Sequence, residues 1–552
     1  MNVIDIFTKK NIEILRLLSK ESLHIRDIAG NLDISPAKVH STIQLFKKNN
    51  LIKENKEKNK IIISLNKGSS LLKIIQSLLE ADNKDTSFEP KMNIFDTISP
   101  LDFRYYGRNE RIFHKLQPYL SENAMIKYMA RVEAALTKTL AGHGICNKEI
   151  ADEIEKACKK VTADEVYVEE DKLKHNVRAL VNCIRNKVSD EAKPFIHFTA
   201  TSHDIISTAD ALRYKNFTNE VMIPGLIGFE KTLIDLALRE KNTLQIGRTH
   251  GQHAVPITFG FAIAQYVSRL GNSILKIRKT SNNLRGKIAG AVGSYNASSL
   301  FFDNPEKFEM EVLQELNLKP SPISTQIPEA EFIADYANAV VEAFGILANL
   351  SDDMRNMQRS EIAEVGEVFM DKQVGSSTMP QKRNPINFEN IKSLWKEFMP
   401  RLTTIHMDQI SEHQRDLTNS ASSRFIPEIL GAFYISVVRL NRTMKSLQVD
   451  KDNLRRNFDM NKGLIVAEPL YILLAAKNHP DAHETIKQLT LKAQSTKKPL
   501  QEIIKKEKSL QPYLKKFNKE QLKIIKNPEN YTGIAEKKTE SVCRHWKKEL
   551  RL

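Results

Sequence analysis

The chain is expected to fold mainly as α-helix, with a bundle of long helices following a small mixed domain at the N-terminus. Three observations carry this expectation. Of 552 residues only 20 are Gly and 20 are Pro, too few for the turn-rich connections of an all-β protein. Long stretches such as Phe332–Met357 keep an apolar stripe at helical spacing and exceed the average globular helix. The first 85 residues instead mix short helical patterns with two short β-branched runs. A chain of this size holds several cores, and we divide it into residues 1–85, 86–200, 201–450 and 451–552.

In the first segment, Ile12, Leu15 and Leu18 mark a helix over Asn11–Ser19, and Ile25–Leu32 reads as a second. Ser35-Pro36 is a cap followed by Pro at the first helical position, and opens a third helix through Val39, Ile43 and Phe46. Residues 50–54 and 60–65 read as strands around a charged hairpin, and a helix over 68–80 closes the unit. This order resembles a winged helix-turn-helix domain of transcription regulators. The resemblance implies a recognition helix presenting Lys38, His40, Ser41 and Gln44, a wing at Lys56–Lys60, and DNA as a partner. Asn83–Pro90 is polar and aperiodic, hence a linker.

Beyond the linker the helical expectations are Glu122–Ala141, Asp204–Arg239, Phe259–Arg285, Phe332–Met357 and Ile386–His413. No run of about 18 apolar residues occurs, so no membrane span is expected. The N-terminus lacks a signal-peptide pattern, and the 4 cysteines are scattered without metal spacing, which points to the reducing cytosol. The net charge is +16; about +11 of it falls in residues 451–552, where a solvated lysine-rich face is the first reading. Nucleic-acid affinity and steering of an anionic substrate stay open as alternatives.

The most informative stretch is Gly375-Ser376-Ser377-Thr378-Met379-Pro380-Gln381-Lys382-Arg383-Asn384-Pro385. Gly375 frees the backbone, and the two prolines deny a continuous helix. Hydroxyls and cations are thereby gathered in a loop. Asn384-Pro385 suits the cap and first position of the helix that follows. Such a loop, ending on a positive helix terminus, suits a carboxylate or a developing carbanion.

Four other polar stretches interrupt the bundle pattern. In Thr199-Ala200-Thr201-Ser202-His203-Asp204, hydroxyls precede a helix that Asp204 can cap. Gly247-Arg248-Thr249-His250-Gly251-Gln252-His253 is a Gly-flanked turn with two histidines but no adjacent carboxylate or thiol, so a proton donor is favoured over a metal ligand. Arg104-Tyr105 joins a guanidinium fork to a phenol, a pairing apt for phosphate. Finally, Arg415-Asp416 through Ser420 to Arg424 presents two arginines and a serine.

The lysine loop carries every fixed position of G-S-S-x-M-P-x-K-x-N-P, the signature of the fumarase/aspartase superfamily. The other stretches are similar, in order, to motifs of its adenylosuccinate lyases. The resemblance covers residues 90–552. It implies a fumarase/aspartase-type long-helix bundle, with Ser376 as general base, His250 as general acid and Lys382 as electrostatic stabiliser. Asn384, Thr201 and Ser202 would hold the succinyl carboxylates, with Ser377 beside them. Arg104, Tyr105, Arg415, Ser420 and Arg424 would anchor the nucleotide phosphate. His175-Asn176 matches a His-Asp-Val segment in which Asn176 replaces the usual acid, Gln326 matches a substrate-binding Thr-Gln, and Gly290–Gly293 matches the family's Gly-Ala-Val-Gly. Gln381 departs from these lyases and is shared with argininosuccinate lyases. The implied reaction is elimination of fumarate from adenylosuccinate and from its succinylated carboxamide ribotide counterpart. It needs no redox cofactor and no metal, and runs in a cytoplasmic homotetramer whose sites are shared between chains. An argininosuccinate lyase or other superfamily lyase, and a DNA-binding regulator on a lyase scaffold, stay open as alternatives.

Overall fold

Pro36 begins a helix at a position where its missing N–H is no loss, and the Ser35 hydroxyl accepts from the Lys38 N–H. In the computed structural model, which describes residues 9–57, 60–72, 97–369 and 377–552, this helix belongs to the first of two compact units, residues 1–97 and 98–552. The first unit runs α1 (Lys9–Lys20), β1 (Leu23–His24), α2 (Ile25–Leu32), α3 (Pro36–Lys48), β2 (Ile52–Glu57), β3 (Lys60–Leu65). The strands form an antiparallel sheet in the order β1-β3-β2. The two-residue β1 was not foreseen, being too short to show alternation. Ile14, Leu18, Val39, Ile43, Phe46 and Ile63 form the core. Lys38, His40, Ser41 and Gln44 all lie on the exposed side of α3. Most of the helix expected over 68–80 and all of the 83–90 linker lie outside the described residues.

The second unit is a helical bundle. Its principal elements are α4 (Glu122–Gly142), α5 (Ser202–Phe217), α6 (Ile223–Arg239), α7 (Phe259–Asn282), α8 (Glu331–Met357), α9 (Ile386–Phe398), α10 (Ile426–Lys445) and α11 (Ala535–Glu549). A hairpin of β4 (Leu244–Thr249) and β5 (Gln252–Thr258) joins α6 to α7. Two differences from expectation trace to proline. The helix expected over 204–239 is divided by a π-turn at Thr218–Met222, just ahead of Pro224 near the start of α6. The wider turn absorbs the donor that proline lacks. The helix expected to reach His413 ends at Phe398, because Pro400 has no N–H to continue the hydrogen-bond ladder although Met399 before it keeps helical geometry; a short helix resumes at Arg401–Met407.

Buried Phe229, Tyr266, Phe344, Phe388 and Phe433 fill the bundle core. A separate small core of Val466, Leu470, Leu474, Leu500 and Leu510 lies in the C-terminal helices, where Lys487, Lys492, Lys498, Lys505 and Lys506 are exposed. Among the described residues no helix is long and apolar enough to cross a membrane. The four cysteines are buried and free.

α8 sets the long dimension. Its 27 residues span about 40 Å. At its N-terminal end Arg285 and Gly286 pair with Lys319 and Pro320. Past its C-terminal end Val365 and Gly366 pair with Val449 and Gln448.

Candidate active site

At the N-terminal end of α8 the structure gathers Thr201, Ser202, His175, Gln326 and Arg415. Asp204, fully buried, is the hub. It caps α5 by accepting from the Thr201 N–H at 2.8 Å, and it also accepts from the N–H groups of Ala289 (3.2 Å) and Gly290 (3.2 Å). Its charge is met by the equally buried Lys287, which also donates to the Gly290 carbonyl at 2.7 Å. The 201–202 turn and the 290–293 turn are thus tied to one carboxylate. Gly293, at φ +79°, presses on the next segment: a Cβ there would stand 1.9 Å from the Ser324 carbonyl oxygen. Gln326 in turn donates its backbone N–H to the Gln414 carbonyl at 3.3 Å, which brings Arg415 to the same end.

His175 Nδ1 accepts from the Arg178 N–H at 3.2 Å, so in the neutral ring the proton sits on Nε2, 3.5 Å from Ser202 Oγ. Asn176 turns its Oδ1 onto the Val177 N–H. Burial, with Arg415 and Lys287 nearby, pushes His203 down to about 4, so its ring is neutral at physiological pH. Arg415 donates to Asn419 at 2.8 Å, and its Nε is buried without a partner among the described residues. Ser420 and Arg424 follow in the same segment, both exposed.

The opposite end holds His250, the lysine loop and Tyr105. His250 and Gly251 are the two central residues of the β4–β5 hairpin, Thr249 pairing with Gln252, and both have positive φ (53° and 74°). Such a turn matches the twist of a hairpin, but it strains a histidine at its first position. Glu364 holds the hairpin in place. Fully buried, it takes Arg248 in a two-pronged bridge (3.1 and 2.6 Å), Gln245 (2.8 Å) and Asn457 (2.9 Å). His250 itself is exposed. His253 Nδ1 accepts from the Asn461 side-chain amide N–H at 3.1 Å, and burial, then Arg248, lowers its pKa.

Of the lysine loop, Ser377 and Lys382 are exposed, while Ser376 lies outside the described residues. The Arg383 carbonyl accepts from Gln358, the residue that ends α8, at 3.3 Å. Asn384 and Pro385 do not cap α9 as expected. The helix begins at Ile386 without a side-chain cap from Pro385, and the Glu367 carboxylate accepts from the Asn387 (2.9 Å) and Phe388 (3.1 Å) N–H groups. A carboxylate meets the positive helix end more strongly than an amide would. The helix terminus is therefore satisfied from within the chain, and any anion at this loop depends on Lys382, Arg383 and the hydroxyls. One turn into α9, Asn390 donates to the Tyr105 hydroxyl at 2.8 Å; Arg104 beside it is exposed.

The predicted residues therefore form two groups. Gln326 precedes the N-terminus of α8, and Glu364 follows its C-terminus, so about 40 Å of helix separates Thr201, Ser202 and Arg415 from His250 and Lys382.

A lyase family model matches residues 103–397, and a model of the adenylosuccinate lyase C-terminal region matches residues 411–532. The adenylosuccinate lyase of Archaeoglobus fulgidus is 34% identical over 461 residues, covering 82% of this chain and 99% of that protein. The chain belongs to the adenylosuccinate lyase family. The Pyrococcus abyssi adenylosuccinate lyase is also 34% identical, over 454 residues, 81% of this chain and 98% of its own. An N-acetyl-S-(2-succino)cysteine lyase of Enterococcus italicus is 29% identical over 444 residues, 80% of this chain and 96% of its own. The crystal structure of 3-carboxy-cis,cis-muconate lactonizing enzyme from Pseudomonas putida shares the fold, with a TM-score of 0.69 at 23% identity over 79% of this chain and 97% of that one. The lyase family match begins at residue 103, beyond the first compact unit. Against the sequence motifs of this adenylosuccinate lyase family, what sequence reasoning missed is the set of buried groups: Lys287, Glu364 and Glu367. Lys287 stands three residues before Gly290 and was the most accessible of the three to inspection.

Proposed function

We infer that the chain is a C–N lyase that eliminates fumarate from adenylosuccinate to leave AMP, and from the succinylated aminoimidazole carboxamide ribotide to leave the carboxamide ribotide. The observation that carries this reading is the pairing of near-full-length archaeal adenylosuccinate lyase relatives with the separate match of residues 411–532 to that family's C-terminal region.

In this reading Ser376, as its alkoxide, takes the proton from the carbon beside a succinyl carboxylate. The released pair becomes the double bond of fumarate, and the C–N pair leaves with the nitrogen, which His250 protonates. Lys382 and Asn384, with Thr201, Ser202 and Ser377, hold the carboxylate on which charge develops. His175, Asn176 and Gln326 line the succinyl side. Arg104, Tyr105, Arg415, Ser420 and Arg424 take the phosphate end. Purified protein should turn over adenylosuccinate, followed by its ultraviolet absorbance, and Ser376→Ala should lose nearly all turnover while still binding substrate. Near-normal activity of that variant overturns the assignment of the base.

Acid and succinyl-binding groups separated by about 40 Å of helix cannot serve one substrate molecule, since reacting groups must approach within about 3–3.5 Å. We therefore assign the working form to a homotetramer in which each site takes one end of the bundle from one chain and the other end from another, acting in the cytosol. For the first unit we infer DNA contact through Lys38, His40, Ser41 and Gln44. Their common exposure on α3, with the exposed Lys56 and Lys60 of the hairpin, supports this.

A further inference from the structure

Arg439 lies on α10, about 20 Å along the helix from its start, well away from the Arg415–Arg424 segment. Its guanidinium stands 5.7 Å from the centre of the Tyr105 ring. It is half-buried, and among the described residues it forms no ion pair. The groups that face it are divided: Tyr105 and Glu367 favour its charge, while Arg442 and Arg104 oppose it. Glu367 is already taken by the Asn387 side chain (2.6 Å) and by the N–H groups that open α9. Burial, which is the largest effect on Arg439, weakens its hold on its proton.

The phenol completes the picture. The Tyr105 oxygen accepts from Asn390, so its own proton is directed elsewhere. The Asn390 Oδ1 is buried without a partner among the described residues. The half-buried Arg439 guanidinium, the exposed Arg104 and Arg442 and a phenolic donor thus stand together, with the one facing carboxylate, Glu367, already engaged by α9, an arrangement that suits an anion.

We propose that Arg439 is a further anion-binding residue of the Tyr105 half-site, taking the nucleotide phosphate together with Arg104 and Tyr105. The proposal rests on the nucleotide reading above and adds to it a residue that no motif in the sequence marks.

The test compares wild type with Arg439→Gln and Arg439→Lys as full chains. Losing one charge-assisted contact should raise KM for adenylosuccinate about ten- to a hundredfold, with a much smaller change in kcat. The inhibition constant of AMP should rise in parallel, that of fumarate should not, and Arg439→Lys should recover part of the loss. A fall in melting temperature with unchanged KM and unchanged AMP inhibition would make Arg439 a packing residue and overturn the proposal. If wild type does not turn over adenylosuccinate, the nucleotide reading fails by itself. The residue is then tested by titrating inorganic phosphate against thermal unfolding. Stabilisation lost in Arg439→Gln upholds the anion site, and equal stabilisation in both proteins overturns it.

Discussion

Mixing two inactive variants measures directly whether the separated groups belong to one site. His250→Gln removes the acid at one end of the bundle, and the pair Thr201→Ala and Ser202→Ala removes the succinyl contacts at the other. Within a chain these positions lie at opposite ends of α8, about 40 Å apart, so neither change touches the other's surroundings. If a site takes each end from a different protomer, equal mixing gives a one-half chance that either end is intact. About one quarter of sites then carry both intact ends in randomly reassembled oligomers. The assay is adenylosuccinate turnover after the two proteins are dissociated together in mild denaturant and refolded. Each variant refolded alone should stay near its own low rate, while the mixture should recover up to about a quarter of wild-type activity. Activity equal to the mean of the two variants after verified subunit exchange would refute the shared site. So would a fully active monomer in light scattering.

Two further outcomes are expected. Lys287→Met should destabilise the fold by about 3–5 kcal/mol, because it leaves the Asp204 carboxylate buried without its cation; adding Asp204→Asn should return part of that in denaturant unfolding, and a double variant no more stable than the single would show the pair to be uncoupled. The full chain should retard a DNA duplex in a gel, with affinity falling steeply as salt rises, and Lys38→Glu with Lys56→Glu should abolish this. Absent or salt-insensitive retardation would leave the first unit as a protein-contact module.

Much of this was legible in the sequence, for physical reasons that differ by element. Ser35-Pro36 announces α3 because cap and first-turn chemistry are local, and the structure starts the helix there. Glu122–Gly142 and Glu331–Met357 follow their apolar stripes almost to the residue. What failed was also local chemistry, outcompeted from a distance. Asn384 is a sound cap by its neighbours, but Glu367, 20 residues from Asn387, reaches the same N–H groups with a full charge. The break at Pro400 was visible in the sequence, yet the apolar pattern runs across it. The separation of Thr201 from His250 had no sequence signal at all. Motifs that lie in order along a chain say nothing about which end of a bundle each one reaches.

The buried acids behind these motifs have a common form. Asp204, Glu364 and Glu133 are each fully buried, and each holds a strained or closely packed turn by its backbone or by a neighbouring cation. Asp204 binds the turns at Thr201 and Gly290. Glu364 binds Arg248, two residues before the left-handed His250. Glu133 takes both the N–H (3.0 Å) and the Nδ1 (2.7 Å) of His197, and both His197 and Thr199 have positive φ of 62° just ahead of Thr201. Left-handed conformations cost non-glycine residues of order 1–3 kcal/mol each and persist only where the surroundings enforce them. In the interior, where water does not compete, a carboxylate with several donors supplies that enforcement. The exposed hydroxyls, histidine and lysine that a motif search finds are then the outer face of a scaffold of buried acids. The acids neutralise cations that would otherwise be stranded inside, and they hold in place the donors at both ends of α8.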